Sequence, residues 1–139
     1  MQGDRLEWES LLASIQAELP SPVEQESVAD GSVVFVGGQP GEVVVRLTKS
    51  LATVSEHVVE WEGPHEAVVR PVSFGTVHWR RMAEGHALAV LSTLIRAARE
   101  SRLSKYRTCR FCERSVPPEH LHEEDVCQSC AQRHLGVVY

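Results

Sequence analysis

All four cysteines of the chain lie in its last third, in two identical C-x-x-C pairs. Cys109 and Cys112 form the first pair, Cys127 and Cys130 form the second, and fourteen residues separate the pairs. A C-x-x-C segment bends into a tight turn that brings both sulfurs to one metal ion, and two such turns complete the tetrahedral thiolate set that zinc prefers. The sequence therefore predicts one Zn²⁺ ion bound by all four cysteines.

Other uses of paired cysteines fit this sequence less well. A dithiol redox pair is typical of a helix start in a thioredoxin-like βαβ unit, and no such pattern surrounds either pair. The spacings also match neither of the ferredoxin patterns for iron–sulfur clusters. Because four thiolates leave no open position for water or substrate, we expect the zinc ion to be structural and not catalytic.

The two pairs are followed by different kinds of sequence. After Cys112, Glu113-Arg-Ser and then Pro117-Pro118 indicate a turn or hairpin, whereas the residues from Cys127 to Gly136 predict a two-turn helix with a glycine cap. A knuckle, a hairpin and a ligand pair that opens a helix resemble the treble-clef class of zinc fingers; a zinc ribbon would have strands around both knuckles. The resemblance covers residues 109–139, and Glu113 stands where treble clefs often have glycine.

That resemblance implies a zinc module of a kind found in DNA-binding, ribosome-associated, nuclease and protein-adaptor settings. In treble-clef nucleases a histidine of the hairpin acts as the base beside a catalytic metal, and His120 or His122 could occupy that place. The four cysteines are already assigned to the structural zinc, however, and an acidic loop around these histidines would repel a phosphate backbone. Nuclease activity is therefore a minor alternative.

The residues before the cysteines predict an α+β fold. A first helix is predicted from an apolar stripe with Asp4 as its N-cap; the stripe comprises Trp8, Leu11, Leu12, Ile15 and Leu19. Residues 20–31 are polar and predict a connector. Four β-type segments follow, at 32–36, 42–48, 52–61 and 66–74. Short turns join them, so we expect an antiparallel meander.

A long second helix is predicted to begin between Val77 and Ala83, with Ala87, Leu91 and Ala98 on its apolar stripe. At 100° per residue, Arg102 and Lys105 would rotate back onto that buried face, which a core does not accept unless they are paired. We therefore expect the helix to leave the core, or to end, by about Ser101. The prediction is an α-β-β-β-β-α body at residues 1–104 and a zinc module at 105–139.

Positive charge is concentrated in one segment, although the chain as a whole has a net charge of −5. Residues 96–114 hold two acidic side chains, Glu100 and Glu113, and seven basic ones: Arg96, Arg99, Arg102, Lys105, Arg107, Arg110 and Arg114. One interpretation is a surface for an anionic partner. The other is local neutralisation, in which Arg110, Arg114 and Arg133 offset the net charge of a zinc–tetrathiolate centre.

Two functions follow from these features. The first is a non-catalytic factor that associates with nucleic acid, or with an assembly that processes it, through the seven basic residues. The alternative is a protein-interaction adaptor with an acidic body and a zinc module, whose partner is another protein or a second copy of the chain. No nucleophile–base pair or phosphate-binding glycine loop is recognisable, so we expect neither an enzyme nor a small-molecule substrate.

The sequence also bears on the compartment. No apolar run approaches the roughly 20 residues needed to span a membrane, and the N-terminus lacks the pattern of a signal peptide. We therefore expect a cytoplasmic protein without a membrane partner. The apolar residues 136–139 are expected to pack against the zinc module's own hairpin or against a partner.

Overall fold

Five segments between Val23 and Val77 form an antiparallel sheet, and two amphipathic helices share its core. The computed structural model describes residues 5–139. The helices are α1 (Trp8–Glu18), α2 (Glu84–Leu103) and α3 (Gln128–His134), with 3₁₀ turns at Trp79–Arg81 and Pro118–His120. The strands are β1 (Val23–Ser27), β2 (Val33–Gly37), β3 (Val43–Leu47), β4 (Ala52–Glu56), β5 (Val59–Gly63), β6 (Glu66–Val69), β7 (Val72–Val77), β8 (Arg107–Thr108), β9 (Ser115–Val116), β10 (Leu121–Glu123) and β11 (Val126–Cys127).

The large sheet has the strand order β1-β2-β3-β4-β7. Its register aligns Phe35 with Val45, and Val45 with Val54, so three fully buried side chains form one row across three strands. Side chains along a strand point alternately to opposite faces, and this row therefore belongs to the face that meets the core. Burial of each such side chain contributes about 1.5–3 kcal/mol, which makes the row a main source of the sheet's stability.

Both long helices supply residues to the same core. Leu11 and Ile15 of α1 are buried, as are Leu91 and Ile95 of α2, and all four belong to one hydrophobic cluster with the sheet. The observed architecture confirms the predicted α+β class: a helix, an antiparallel meander, a long helix and a small cysteine-containing region. No helix among residues 5–139 is both long and apolar enough to cross a membrane.

The chain divides into two compact units. The first comprises the described residues up to Val58 together with Pro71–Arg102; the second comprises Val59–Arg70 and Leu103–Tyr139. The second unit, called the zinc unit below, therefore contains the β5–β6 hairpin, which the sequence analysis assigned to the body. Trp61 of this hairpin donates a hydrogen bond from Nε1 to the carbonyl oxygen of Glu119 at 3.0 Å. The hairpin thus packs with residues that lie almost sixty positions later.

Several element boundaries differ from the prediction. The predicted connector at 20–31 contains β1, whose residues after Val23 are all exposed; its backbone bonds to β2 define it as a strand, because its polar side chains give no apolar signal. The segments predicted at 52–61 and 66–74 are each two strands, β4 with β5 and β6 with β7. The predicted cap Asp4 lies outside the described residues, and α1 begins at Trp8 after Glu7, which makes no side-chain cap bond.

Arg102 corrects the prediction that α2 leaves the core by about Ser101. The helix continues to Leu103, and Arg102 is only 1% exposed. Its Nε donates a hydrogen bond to the carbonyl oxygen of Gly41 at 3.0 Å, and the neighbouring Ser101 hydroxyl donates to buried Glu56 at 2.6 Å. The first unit therefore contains a hydrogen-bonded polar edge that accepts the arginine. Phosphate contact by this side chain is excluded as long as it stays buried.

Replacing Arg102 is therefore expected to affect stability. The variant Arg102→Ala should lower the free energy of unfolding of the first unit by about 2–3 kcal/mol, because a charged hydrogen bond and its packing are lost in a buried place. Arg96→Ala, an exposed position on the same helix, should change it by less than about 0.5 kcal/mol. Urea unfolding followed by circular dichroism measures both. Equal stability of the two variants would show that Arg102 is not a structural residue.

Candidate metal centre

The four cysteine sulfurs meet in one cluster, as the spacing predicts. All four Sγ atoms lie within 4.8 Å of one another, and those of Cys112 and Cys127 are 3.9 Å apart. A zinc ion with Zn–S bonds of 2.3 Å has sulfur–sulfur edges of about 3.8 Å, whereas a disulfide bond is about 2.05 Å long. The cluster therefore has the donor type, the number of donors and the spacing to hold one Zn²⁺ ion as a closed structural site.

The first cysteine pair lies on a knuckle between two very short strands. β8 pairs with β9 in antiparallel register, and the backbone N–H of Cys109 donates to the carbonyl oxygen of Arg114 at 3.0 Å. The N–H of Glu113 returns to the carbonyl oxygen of Cys109 at 2.9 Å, which closes the turn. Glu113 has φ 62°, in the left-handed region that favours glycine. Glu113 therefore adopts the left-handed conformation that is easier for the glycine often found at this position of treble clefs.

The second cysteine pair opens a helix. Cys127 ends β11 and is the N-cap of α3, and Cys130 lies in the first turn of that helix. After α3, Gly136 has φ 69° and the N–H of Val137 bonds to the carbonyl oxygen of Ala131 at 3.2 Å, as in the predicted glycine cap. The observed order is knuckle, β10–β11 hairpin and ligand-bearing helix.

The local environment divides the thiols into two kinds. Backbone N–H groups of Cys112 and Cys127 lower the pKa of Cys109 to about 6. The backbone and the side chain of Arg114 lower the pKa of Cys112, and the thiolate raises the pKa of Arg114 in return. Burial instead raises the pKa of Cys130 to about 12. A zinc ion must therefore displace the Cys130 proton, whereas Cys109 is largely prepared as a thiolate at neutral pH.

The hydrophobic core around the cysteines is small. Its buried members are Cys109, Val116, Val126, Cys127, Cys130 and Ala131. The strands of this region are two or three residues long, and such strands are not stable alone in water. The metal ligands make up half of the core, so the fold of this region depends on the bound ion.

The seven basic residues of the predicted partner surface are distributed over both units. Arg96 and Arg99 lie on α2 with Arg102, all in the first unit, while Lys105, Arg107, Arg110 and Arg114 lie in the zinc unit. Arg96 is exposed, and Arg99 pairs with Glu42 at 2.7 Å. Arg102 is buried, as described above. The α2 arginines thus have three different environments, two of which are intramolecular contacts.

Most of the basic residues in the zinc unit are also engaged. Arg107 donates to the carbonyl oxygens of Ser104 and Tyr106 at 2.8 Å each. The guanidinium of Arg110 lies 5.0 Å from the centre of the Phe111 ring. Arg114 interacts with the Cys112 sulfur, and Lys105 is exposed. Local neutralisation at the thiolates, one of the two interpretations of the charge, describes Arg114 and also Arg133, whose Nη2 donates to the Cys130 sulfur at 4.0 Å.

The histidines of this region lie in separate places. His122 Nδ1 lies 2.6 Å from the hydroxyl of Tyr139, which ties the apolar tail to the zinc unit's own hairpin. His134 stacks on Phe111 with ring centres 4.5 Å apart, and His120 is exposed. Within residues 5–139, the four cysteines are the one group of three or more metal-ligating side chains close enough to hold an ion. A second, histidine-based metal site of the nuclease kind is not found there.

A groove in the zinc unit was not predicted. The tip of the β5–β6 hairpin forms one side, α3 forms the other, and the cavity measures about 480 Å³. Its lining comprises Trp61, Gly63, Pro64, His65, Gln128, Ser129, Gln132 and Tyr139, and we refer to it as the hairpin groove. The one sequence signal was Trp61, a tryptophan among glutamates in a strand, which is an unusual composition for a purely solvated face.

Zinc binding should release protons. We expect one zinc ion per chain by mass spectrometry or atomic absorption, and calorimetric titrations in buffers of different ionisation enthalpy should show net proton release at pH 7, at least that of Cys130. The apparent affinity should increase as the pH rises from 6 to 8, because fewer protons then compete for the sulfurs. Cys130→Ser should abolish tight binding, and an affinity independent of pH would contradict the four-thiolate assignment.

Replacing Glu113, whose φ is positive, by glycine should remove backbone strain and raise the affinity of the site for zinc. Glu113→Gly is expected to stabilise the zinc-bound state by about 0.5–1 kcal/mol, the strain of a side chain at positive φ less the greater entropy of unfolded glycine. That corresponds to a two- to fivefold lower dissociation constant for zinc in competition with a chelating dye. Glu124→Gly, in the β10–β11 turn, is the matched control and should weaken or leave unchanged the affinity.

Comparison of the chain with models of protein families, with curated protein sequences and with solved structures finds no match, so its function must be argued from the residues described above.

Proposed function

We propose that this protein is a non-catalytic adaptor whose zinc unit binds another protein. The observation that carries this proposal is the distribution of exposed apolar side chains. Nine large hydrophobic residues among residues 5–139 are exposed, and seven of them belong to the zinc unit, which is about a third of the chain: Trp61, Val69, Leu103, Phe111, Leu135, Val138 and Tyr139. Exposed apolar residues rich in aromatic rings are typical of protein interfaces.

The charge of the zinc unit supports a protein partner. The unit holds six basic and eight acidic side chains, a net charge of −2, and a zinc–tetrathiolate centre adds another −2. Nucleic-acid binding relies on a local excess of positive charge to release counterions from phosphates. The excess seen along residues 96–114 is divided between the units and reduced by pairs such as Arg99–Glu42. The unit therefore lacks a strong electrostatic attraction for a phosphate backbone.

The closed metal site supports a non-catalytic role. Four thiolates fill the coordination sphere of zinc, so the ion has no position for an activated water or a substrate carbonyl. The ion instead fixes the knuckle and α3, and α3 forms one wall of the hairpin groove. In this proposal the zinc ion shapes a binding surface and does not take part in chemistry.

Nucleic-acid association is the second candidate, and one observation favours it. Arg110, Phe111 and His134 form an exposed stack of a guanidinium and two rings, a combination that proteins use to hold unpaired bases. Lys105 and Arg107 lie a few residues away and are exposed. This candidate places the contact at the first knuckle, whereas the adaptor proposal includes the hairpin groove.

Capture from a lysate of the producing cells should distinguish the two candidates. The zinc-loaded full-length protein is used as bait after nuclease treatment, beside Tyr139→Ala and, as an exposed control in the first unit, Phe74→Ala. We expect a stoichiometric protein that the wild type and Phe74→Ala retain and that Tyr139→Ala retains at least about tenfold less, as for an interface hot spot.

The opposite pattern would support the second candidate. Capture that disappears after nuclease treatment, falls steeply with salt and is lost in the double variant Lys105→Glu/Arg110→Glu would show binding through phosphates and overturn the adaptor proposal. Retention of the partner by all variants would also contradict it, because the exposed aromatic surface would then have no part in capture. Zinc content is measured for every variant, so that misfolding is recognised.

A further inference from the structure

The hairpin groove has an uncharged lining. Its eight residues include no aspartate, glutamate, lysine or arginine, although the zinc unit as a whole is rich in glutamate and arginine. An ionic ligand would lose its hydration in such a groove without gaining an opposite charge. The lining therefore fits an uncharged ligand, and its volume of about 480 Å³ lies within the range of specific ligand sites.

The groove combines rings with amides. Trp61, His65 and Tyr139 contribute aromatic rings, and Gln132 contributes a side-chain amide from α3. The Gln128 amide donates one N–H to the Glu119 carbonyl oxygen at 3.4 Å and has a second N–H besides. Flat rings pack well against the rigid pyrrolidine ring of proline, and amide N–H groups donate to carbonyl oxygens that a polyproline II helix leaves without internal partners. This pairing of chemistry is the one that proline-rich segments require.

The walls of the groove are held by intramolecular contacts. The Trp61 indole donates to the Glu119 carbonyl oxygen, so its orientation is fixed while the side chain remains 45% exposed. Tyr139 is fixed by its hydroxyl at His122, whose ring it also meets edge-on with centres 5.9 Å apart. The indole N–H of Trp61 and the hydroxyl of Tyr139 both bond within the protein, so a ligand would contact the faces and edges of the two rings. Fixed walls lower the entropy cost of binding, as does a preformed polyproline II ligand.

We propose that the hairpin groove binds an uncharged, proline-containing extended segment of the partner protein. This inference rests on the adaptor function proposed above and names the chemistry of its partner. A methylated ammonium group is a poorer match, since aromatic cages bind a cation and the lining includes no carboxylate side chain. Single-stranded nucleic acid is also a poorer match, because stacking sites for bases are accompanied by a positively charged groove for the backbone.

Decaproline is a suitable probe, with a ten-residue glycine–serine peptide as its control. Each is titrated into the ¹⁵N-labelled, zinc-loaded full-length protein and followed by heteronuclear NMR. We expect decaproline to shift the Trp61 indole signal and the side-chain amide signals of Gln128 and Gln132 in a saturable way, and the glycine–serine peptide to shift none of them. Equal shifts with both peptides, or shifts confined to residues outside the groove, would overturn the proposal.

Matched variants localise the binding. Gln132→Glu places a charge at an exposed position of the lining and should weaken decaproline binding about tenfold, as should Trp61→Ala. Phe74→Ala removes an exposed ring of the first unit, outside the groove lining, and should leave the affinity unchanged. Since Trp61→Ala also removes a hydrogen bond within the zinc unit, Gln132→Glu with full zinc content is the decisive variant. Unchanged affinity in that variant contradicts the groove as the site.

The adaptor proposal and this inference fail in different ways. If a captured protein partner depends on Tyr139 but decaproline neither binds nor displaces that partner, the groove chemistry is wrong and the adaptor function stands. If the groove signals broaden with protein concentration in the absence of peptide, a second copy of the chain occupies the groove and the proline-segment proposal is overturned. Displacement of decaproline by oligothymidylate would overturn it as well.

Discussion

Coordination of one ion by four thiolates is the interaction on which the C-terminal region depends. The elements that carry the sulfurs are a knuckle between two-residue strands and a seven-residue helix, and none of them has enough apolar contact to be stable in water. Zinc binding at such sites contributes on the order of 10–16 kcal/mol, which exceeds what six small buried residues supply. The ion therefore takes the place of a large hydrophobic core. The surface of this region keeps its shape only while the four cysteines coordinate the ion.

The first unit is stabilised in a different way. Phe35, Val45 and Val54 are fully buried in the sheet, and the stripes of α1 and α2 complete an ordinary apolar core. Its buried polar residues include Glu56 and Arg102, which lie at the edge where α2 ends and have hydrogen-bond partners. Buried charged groups are tolerated only when such partners exist. Arg102, near the end of α2, can therefore be buried only because the Gly41 carbonyl oxygen lies within hydrogen-bond distance of it. A binding role for Arg102 and this structural role exclude each other.

The features that sequence predicted are those with a local signature. The cysteine spacing predicted the metal cluster because two tight turns are sufficient to form it, and the stripe from Ala87 to Ala98 predicted a helix because its period is local. Strand β1 gave no signal because nearly all of its side chains are exposed at the sheet edge. The run 52–61 predicts one strand although it contains two, because the break at His57-Val58 has neither glycine nor proline.

The features that sequence did not predict depend on distant partners. Burial of Arg102 depends on a carbonyl oxygen 61 residues earlier, and the placement of Trp61 depends on a carbonyl oxygen 58 residues later. No periodicity or spacing contains such information. The hairpin groove combines both difficulties, because its two walls come from separate stretches of the chain.

The insertion of the β5–β6 hairpin between two neighbouring strands of the large sheet makes the zinc unit discontinuous. β4 and β7 pair directly, so the chain leaves the first unit after Val58 and returns at Pro71 before it leaves again after Arg102. During synthesis the hairpin emerges well before the cysteines. The hydrogen bond from the Trp61 indole to the Glu119 carbonyl oxygen can form only after Glu119 has been translated. The sheet can therefore be complete while the hairpin is still unpartnered. All four zinc ligands are translated after the hairpin, so the two segments of the zinc unit can unite around the ion only late in synthesis.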